Sequence, residues 1–448
     1  MPVALIVLAA GKGARMQSDL PKVLHKVAGA PLLVHSLRAG AALAPVQTLV
    51  VAGHGFAAVR EAVLQENPTA TVVLQEPQQG TGHAVRLCAP HLQDFSGDVA
   101  VLYGDTPFLQ PQTLQRLQRA RRGHALVVLG FHAQQPQGYG RLVMEGDRLV
   151  KIVECADASE AERAITFCNS GVVLADKAVL FALLEDLDCA NAQQEYYLTD
   201  IAKHAQARGI AITAIACEES ETMGVNTRAQ LAEAEAAFQA HSRARLMENG
   251  VSLVDPATTW LAYDTQIGRD VVIEPNVFFG PKVCIEAGAH IRAFSYLEGC
   301  HVGSGARVGP YARLRPQTQV GTGARVGNFV EIKNTELAHG AKVNHLSYVG
   351  DAVVGEGANV GAGTITCNYD GVAKHGTHIG AGAFIGSGTM LVAPVKVGDG
   401  AMTAGGSTIT QDVEHDALAI GRSQQTNKAG FVPRFLAMQR QKTRHQKK

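Results

Sequence analysis

The chain has 448 residues, 46% of them hydrophobic and 18% charged, with 40 basic side chains against 40 acidic ones. That length holds about three domains of average size, or two large ones. Zero net charge argues against a nucleic-acid coat, and no run approaches the roughly 20 apolar residues of a membrane span, so neither nucleic acid nor membrane is an expected partner. The apolar run Val3–Ala10 lacks a basic leader and passes straight into Gly11-Lys12-Gly13, which reads against a signal peptide. Eight cysteines (Cys88, Cys155, Cys168, Cys189, Cys217, Cys284, Cys300 and Cys367) include no CxxC pair. Reduced thiols in a cytoplasmic protein are the expectation, not a disulfide framework or a zinc site.

In chain order, Val3–Ala9 is a short aliphatic run that predicts a strand. The segment LAAGKGARM that overlaps it is no P-loop, and Met16 takes the slot of the third glycine of a dinucleotide fingerprint. What remains is a glycine turn whose N–H groups can approach an anion, with Arg15 and Lys22 to neutralise charge; a plain tight turn is the alternative. Helical patterns at Pro31–Leu43 and Phe56–Gln65 alternate with strand patterns at Thr48–Ala52, Thr71–Leu74 and Val99–Tyr103. Gly80-Thr81-Gly82-His83-Ala84 offers a second close-approach turn ahead of a helix. Tyr103-Gly104-Asp105-Thr106-Pro107 ends a buried strand, where Asp105 either caps the next helix or serves as a hard oxygen ligand for Mg²⁺. This alternation implies a Rossmann-like, mostly parallel sheet covered on both faces, with ligands beyond the carboxyl ends of its strands. From Thr227 to Asn249 the chain turns Ala-, Glu-, Gln- and Arg-rich and then meets Gly250. One long linker helix over 227–250 is expected, separating a domain at 1–226 from another at 251–448.

The remainder has a six-residue beat. Apolar anchors recur at Ile267, Ile273, Phe279, Ile285, Ile291 and Leu297, then from Val302 through Ile332. The beat returns at Val354 and Val360, and at Ile379 through Ile409. The fourth residue after an anchor is nearly always small or β-branched, as at Ala289, Ala306, Ala324, Ala358 and Ala401. A period of six fits neither an α-helix nor a hairpin meander; it predicts a parallel β-helix with anchors pointing inward. Two stretches look irregular, Asn334–Tyr348 and Thr366–His378, and breaks of this kind map to a binding face. Tyr311 reads as packing. The tail (Arg434, Arg440, Lys442, Arg444, Lys447 and Lys448) reads as a solvated basic end, with a contact to a neighbouring subunit as the alternative.

LAAGKGARM, PKVL, LQEPQQGTGHA, YGDTP, GYGR, IVE, NSG and GVN resemble the sugar-1-phosphate nucleotidyltransferases, in their N-acetylglucosamine-1-phosphate uridyltransferase branch. The resemblance implies that Leu8, Ala9, Ala10, Gly11, Gln75, Gly80, Thr81, Tyr103 and Gly104 hold UTP. It further implies that Arg15 and Lys22 handle phosphates, that Asp105 and Asn226 bind Mg²⁺, and that Gly140, Glu154 and Asn169, with Asn226, contact the N-acetylsugar. Ala14 stands where relatives usually carry threonine.

ARLRP, VGNFVEIKN, NHLSYVGD and NVGAGTITCNYDG similarly resemble the left-handed β-helix acyltransferases. That likeness implies His345 as general base, and Arg315, Lys333, Tyr348 and Asn359 around an amino-sugar phosphate. Ala362, Asn368, Tyr369, Ser387, Gly405 and Arg422 would line an acetyl-CoA site, Gly405 through its backbone because relatives often have alanine there. Three hexapeptides per coil, as this family builds them, give about eight coils, and the family assembles as homotrimers.

Both halves together resemble the bifunctional N-acetylglucosamine-1-phosphate uridyltransferase / glucosamine-1-phosphate acetyltransferase family. The implied substrates are UTP, N-acetylglucosamine-1-phosphate, glucosamine-1-phosphate and acetyl-CoA, and the implied product feeds bacterial wall or lipopolysaccharide precursors. Two other readings stay open at this point: a single-activity nucleotidyltransferase whose β-helix serves only assembly or allosteric control, and a structural rod with a degenerate head.

Overall fold

The computed structural model describes residues 1–191 and 194–445; Lys447 and Lys448 lie outside the described residues. Two compact units divide the chain, Met1–Arg245 with Leu261–Tyr263, and Leu246–Trp260 with Asp264–Lys448.

The first unit, the head, is built on a nine-stranded sheet: β1 (Val3–Ala9), β2 (Gln47–Ala52), β3 (Thr71–Leu74), β4 (Asp98–Tyr103), β5 (Leu126–His132), β6 (Arg141–Glu145), β7 (Arg148–Val153), β8 (Phe167–Asp176) and β9 (Ile212–Cys217). Their spatial order is β9-β5-β8-β4-β1-β2-β3, with β6 joined to β8 and to β7. Strands β1 to β4 pair in parallel. β8, however, runs antiparallel to both β4 and β5, so the sheet is more mixed than the alternating pattern suggests. All seven residues of β1 are buried, as a central parallel strand covered on both faces requires. Leu5 and Val7 face one core with Leu33, Leu37, Leu114 and Leu117. Ile6 and Leu8 face the other, with Val85, Leu180, Leu183 and Ile201. Each such side chain contributes roughly 1.5–3 kcal/mol by leaving water. Strand order runs outward on both sides of β1, so a crevice opens beyond the ends of β1 and β4. The long helix spans Arg228–Glu248, and Glu235 accepts the Ala28 N–H at 2.7 Å.

The second unit is a left-handed parallel β-helix. One of its faces stacks ten short strands, more than the eight coils expected. Its inward column runs Leu253, Ile273, Ile291, Val308, Val326, Val343, Val360, Ile385, Thr403 and Ala419 in register. Ala289, Ala306, Ala324, Ala358 and Ala401 are buried beside this stack, because only a small side chain fits next to a turn. The beat does not falter at Asn334–Tyr348: Leu337, Val343, Val349 and Val354 are all buried anchors. Five-residue steps at Ile332–Leu337 and Val349–Val354 had disguised the repeat. The other irregularity is real, with Val360 and its stacked partner Ile385 lying 25 positions apart. Its surplus forms an extruded hairpin in which Tyr369 bridges Lys374. The tail is helical over Phe431–His445.

Candidate active sites

The glycine turn after β1 is shaped by Gly13, whose φ of +63° is left-handed and whose missing Cβ would lie 2.5 Å from Lys22 Cβ. Gly11, by contrast, borders open space. Leu8, Ala9, Ala10, Gly11, Lys22, Gln75, Gly80, Thr81, Tyr103 and Asp105 line a cavity of about 420 Å³. Gly104 fixes its floor by donating its N–H to Leu8 O at 2.9 Å. Gly80 has φ +102°, and a side chain there would meet Tyr196 O at 2.6 Å. Gln75 donates through Nε2 to Gly80 O at 2.9 Å, fixing that turn from beneath.

Lys22 Nζ donates to the Asp105 carboxylate and, at 2.9 Å, to Asn226 Oδ1. Asp105 therefore caps nothing; the next helix starts at Pro111 behind Gln110. Two hard oxygens, 121 positions apart in sequence, thus converge on one cation position. Among the described residues, no group of three or more His, Cys, Asp or Glu side chains could hold a metal. A divalent ion at Asp105 and Asn226 would need substrate oxygens to complete its shell, which is the usual habit of Mg²⁺. Arg15 stands exposed on the Ala14–Met16 turn, outside the residues lining the cavity. Lys12 and Gln78 do line it; Gln78, inside the LQEPQQGTGHA motif, anchors it by donating to Ala10 O at 2.5 Å.

An adjoining cavity of about 510 Å³ shares Thr81 and Tyr103 with the first and adds Gly140, Glu154 and Asn169. A bulge in β8 aims Asn169 inward: pairing with β5 shifts register between Asn169 and Val173. Gly171 turns there at φ +86°, and Ser170 Oγ donates to Leu129 O at 2.7 Å. Asn169 N–H donates to Gly140 O at 2.8 Å, joining two of the three residues. Glu154 accepts from Thr199 Oγ1 at 3.0 Å. Burial raises its carboxyl pKa, opposed by that hydrogen bond and reinforced by Asp200 and Asp157. Tyr197 and Thr199 also line this cavity; they lie outside any motif, so sequence reading gave no signal for them.

On the β-helix, the strand Lys342–His345 stacks on Arg325–Asn328 with His345 opposite Asn328. His345 is exposed, and its Nδ1 lies 2.8 Å from Asn328 Oδ1. An amide oxygen only accepts, so Nδ1 carries the proton and Nε2 is left as a free acceptor. Asn328 sits in the VGNFVEIKN motif but was not singled out there. Successive coils repeat this corner: Gly363 N donates to His345 O, Gly388 N to Ala362 O and Gly406 N to Ser387 O. Ala362, Ser387 and Gly405 therefore fall in one strip above His345, and Asn359 lies on the neighbouring strand opposite Lys342.

The left-handed corner at Leu346 (φ +51°) turns Tyr348 onto the next face. There Asn368 donates through Nδ2 to Asp351 at 2.5 Å and to Tyr348 Oη at 3.4 Å. Arg315 pairs with Glu331 at 2.8 Å. The Lys374 ammonium faces that of Lys333 and, with partial desolvation, holds Lys333 below the ordinary lysine range, while Asp351 opposes the shift. Sequence reading missed Lys374, whose only signal was its place in the extruded hairpin. Tyr369 is exposed on that hairpin, and Arg422 is exposed beyond the last strand. Tyr311 does pack, on the surface and not in the core: 47% exposed, it stacks between Phe294 and Phe329 with centroids 4.9 and 5.1 Å away.

Comparison with known proteins sets these sites in context. Residues 5–245 match the MobA-like NTP transferase domain. Residues 299–334 and 376–411 match the bacterial transferase hexapeptide, six repeats. The chain is 59% identical to the bifunctional protein GlmU of Jannaschia sp., over 97% of this chain and 96% of that one. It is 60% identical to that of Ruegeria sp., covering 99% and 98%, and 60% identical to that of Dinoroseobacter shibae, covering 98% of each.

Proposed function

The chain belongs to the family of bifunctional GlmU proteins, and from that membership we infer a two-step enzyme that makes UDP-N-acetylglucosamine. The β-helix transfers acetyl from acetyl-CoA to glucosamine-1-phosphate. The head then transfers uridylyl from UTP to N-acetylglucosamine-1-phosphate and releases pyrophosphate. The observation that carries this reading is near-complete coverage by bifunctional relatives, with neither unit missing.

In the head, Leu8, Ala9, Ala10, Gln75, Gly80 and Thr81 hold the uridine and its ribose, and Tyr103 and Gly104 form the wall shared with the sugar. The N–H groups around Gly11, with Lys22 and Arg15, orient and neutralise the triphosphate. Gly140, Glu154 and Asn169 orient the N-acetylsugar, with Asn226, the partner of Lys22, as a further contact. A phosphate oxygen of the sugar attacks the α-phosphorus, and the bond to pyrophosphate breaks. Asp105 and Asn226 would hold Mg²⁺, whose charge offsets repulsion between the two anions. No general base is required, because the attacking phosphate is already deprotonated.

In the β-helix, Arg315, Lys333, Tyr348 and Asn359, joined by Lys374, hold the phosphate and hydroxyls of glucosamine-1-phosphate. Ala362, Asn368, Tyr369, Ser387, Gly405 and Arg422 line the acetyl-CoA cleft. His345 Nε2 takes the proton of the amine as it attacks the thioester carbon, and the CoA thiolate leaves. The Asn328 contact keeps the imidazole in the tautomer that can accept. Assembly as a homotrimer through the β-helix faces encloses His345, which one chain alone leaves exposed. Free thiols throughout and small soluble substrates fit a cytoplasmic enzyme.

One assay tests the whole reading. Glucosamine-1-phosphate, acetyl-CoA, UTP and Mg²⁺ are supplied together, and free thiol and pyrophosphate are followed separately. Thiol should appear without UTP, and pyrophosphate from glucosamine-1-phosphate only once acetyl-CoA is added. Pyrophosphate release with no thiol would favour the single-activity reading.

A further inference from the structure

Gln75 follows β3, is buried, and lines the nucleotide cavity. A carboxamide can offer a ligand its oxygen or its two N–H groups, and residue type alone does not decide which. Two contacts decide it here. Nε2 donates to Gly80 O at 2.9 Å, and a carbonyl only accepts, so the nitrogen side must face that turn. Nε2 also lies 3.3 Å from His83 Nδ1. With one N–H committed to Gly80, the second reaches His83, whose Nδ1 is therefore the acceptor and whose ring proton sits on Nε2. Both N–H groups of Gln75 are used inside the protein, and Oε1 is the one group it can offer the cavity. His83 is carried on the short helix Thr81–Arg86. That helix is tied down by Gly82 N–H, which donates to Tyr196 O at 2.8 Å, and the Tyr196 ring lies 6.5 Å from the imidazole. Burial and then the Arg86 charge lower the His83 pKa, which keeps the ring neutral at pH 7. The other charged groups nearby are Lys177 and Glu185 on the helix Lys177–Glu185, Asp200 on the turn Leu198–Asp200, and Glu195 in the cavity wall. None of these adds a comparable pull on the imidazole.

We propose that His83 is a positioning residue that sets base selectivity: it locks the Gln75 carboxamide with Oε1 toward the ligand, so the site receives uracil and rejects cytosine. This rests on the uridylyltransferase reading above, with the base seated at Gln75. Uracil carries N–H at N3 and meets Oε1 as a donor. Cytosine carries a lone pair at N3, so two acceptors would face each other, desolvated and unpaired. Its 4-amino group could reach Oε1 only if the ring slid sideways, against phosphates held at the Gly11 turn. Without His83, one contact to Gly80 O is left to hold the carboxamide, which can then turn and present N–H groups that suit cytosine. Protonation has the same effect, because Nδ1 of an imidazolium donates and opposes the Gln75 N–H.

The experiment uses the full-length protein with Mg²⁺ and N-acetylglucosamine-1-phosphate, and compares kcat/KM for UTP and for CTP by pyrophosphate release. The wild type should prefer UTP, and His83→Ala should lower that preference by roughly 5- to 20-fold. His83→Asn places an amide oxygen where Nδ1 stood and should keep the preference within about twofold of wild type. In the wild type the preference should shrink as pH falls from about 7 to about 5, whereas in His83→Asn it should stay flat. The sugar site's own pH response acts on both nucleotides alike and cancels in the ratio. Calorimetric binding of UTP and of CTP with Mg²⁺, without sugar, should show the same pattern and requires no turnover. An unchanged preference in His83→Ala would overturn the proposal. So would an equal loss with both nucleotides, which would mark damage to the helix, or a loss that His83→Asn does not restore. A wild type that binds UTP over CTP, loses this in His83→Ala, yet releases no pyrophosphate would sink the uridylyltransferase reading and leave the lock standing.

Discussion

The head and the β-helix both hold a sugar phosphate beside an activated donor, but by opposite means. The head gathers residues as distant as Lys22 and Asn226 around a cavity, each aimed by its own local device: a left-handed glycine, a β-bulge, a buried glutamine. In the β-helix, Asn328, His345, Ala362, Ser387 and Gly405 recur at one corner of successive coils on an open surface, positioned by register alone. The difference separates two kinds of vulnerability. A head residue fails when its private support fails, whereas a β-helix residue fails when the coil beneath it shifts.

If the two sites are independent, single substitutions must divide the activities cleanly. His345→Ala should lower acetyl transfer by roughly 10²–10⁴-fold, the usual contribution of a positioned base, and leave pyrophosphate release from N-acetylglucosamine-1-phosphate unchanged. Asp105→Ala should lower uridylyl transfer by about 10²–10³-fold and leave thiol release unchanged. Separate thiol and pyrophosphate assays on each purified variant check both. Loss of both activities in either folded variant would break the comparison, because it would mean the sites share a part.

The same contrast decides what sequence could reveal. In the head, short buried strands announced themselves: Val3–Ala9 and Thr71–Leu74 fall where their β-branched runs end. The antiparallel β8 did not, since direction is set by neighbours far away in the chain. Arg15 was expected among the phosphate ligands from its motif and stands outside the cavity lining, whereas Lys12, inside the same motif, belongs to it. Thr199 carries no pattern at all, and only folding brings it to Glu154. In the β-helix a strict period of six revealed most anchors, yet the five-residue steps made a regular coil look like an insertion. Leu337 tests that correction. It is 1% exposed, so Leu337→Ala should cost about 2–4 kcal/mol of β-helix stability, read as a lower urea midpoint. A loop residue would cost almost nothing.

The smallest expected effect concerns Glu154. It is a half-buried carboxylate whose pKa is raised above its ordinary value of 4.5, chiefly by burial. Between 4.5 and the raised value the folded head binds more protons than the unfolded chain, so stability falls as pH rises through that window. At neutral pH the ionised group is therefore a net cost, accepted because an anion there can receive hydrogen bonds from sugar hydroxyls. Glu154→Gln should raise the head's Tm at pH 7 by about 1–3 °C, and the advantage should vanish below pH 4.5, as calorimetry at the two pH values would show. In the wild type, KM for N-acetylglucosamine-1-phosphate should climb as pH drops through the raised pKa, and in Glu154→Gln it should stay flat and high. The β-helix offers a contrast: its Asp370 is held below the ordinary range by backbone and imidazole hydrogen bonds, so acid in the same window should leave it ionised. A shared acid profile for the two activities would show that the head's burial is not what sets its pH response.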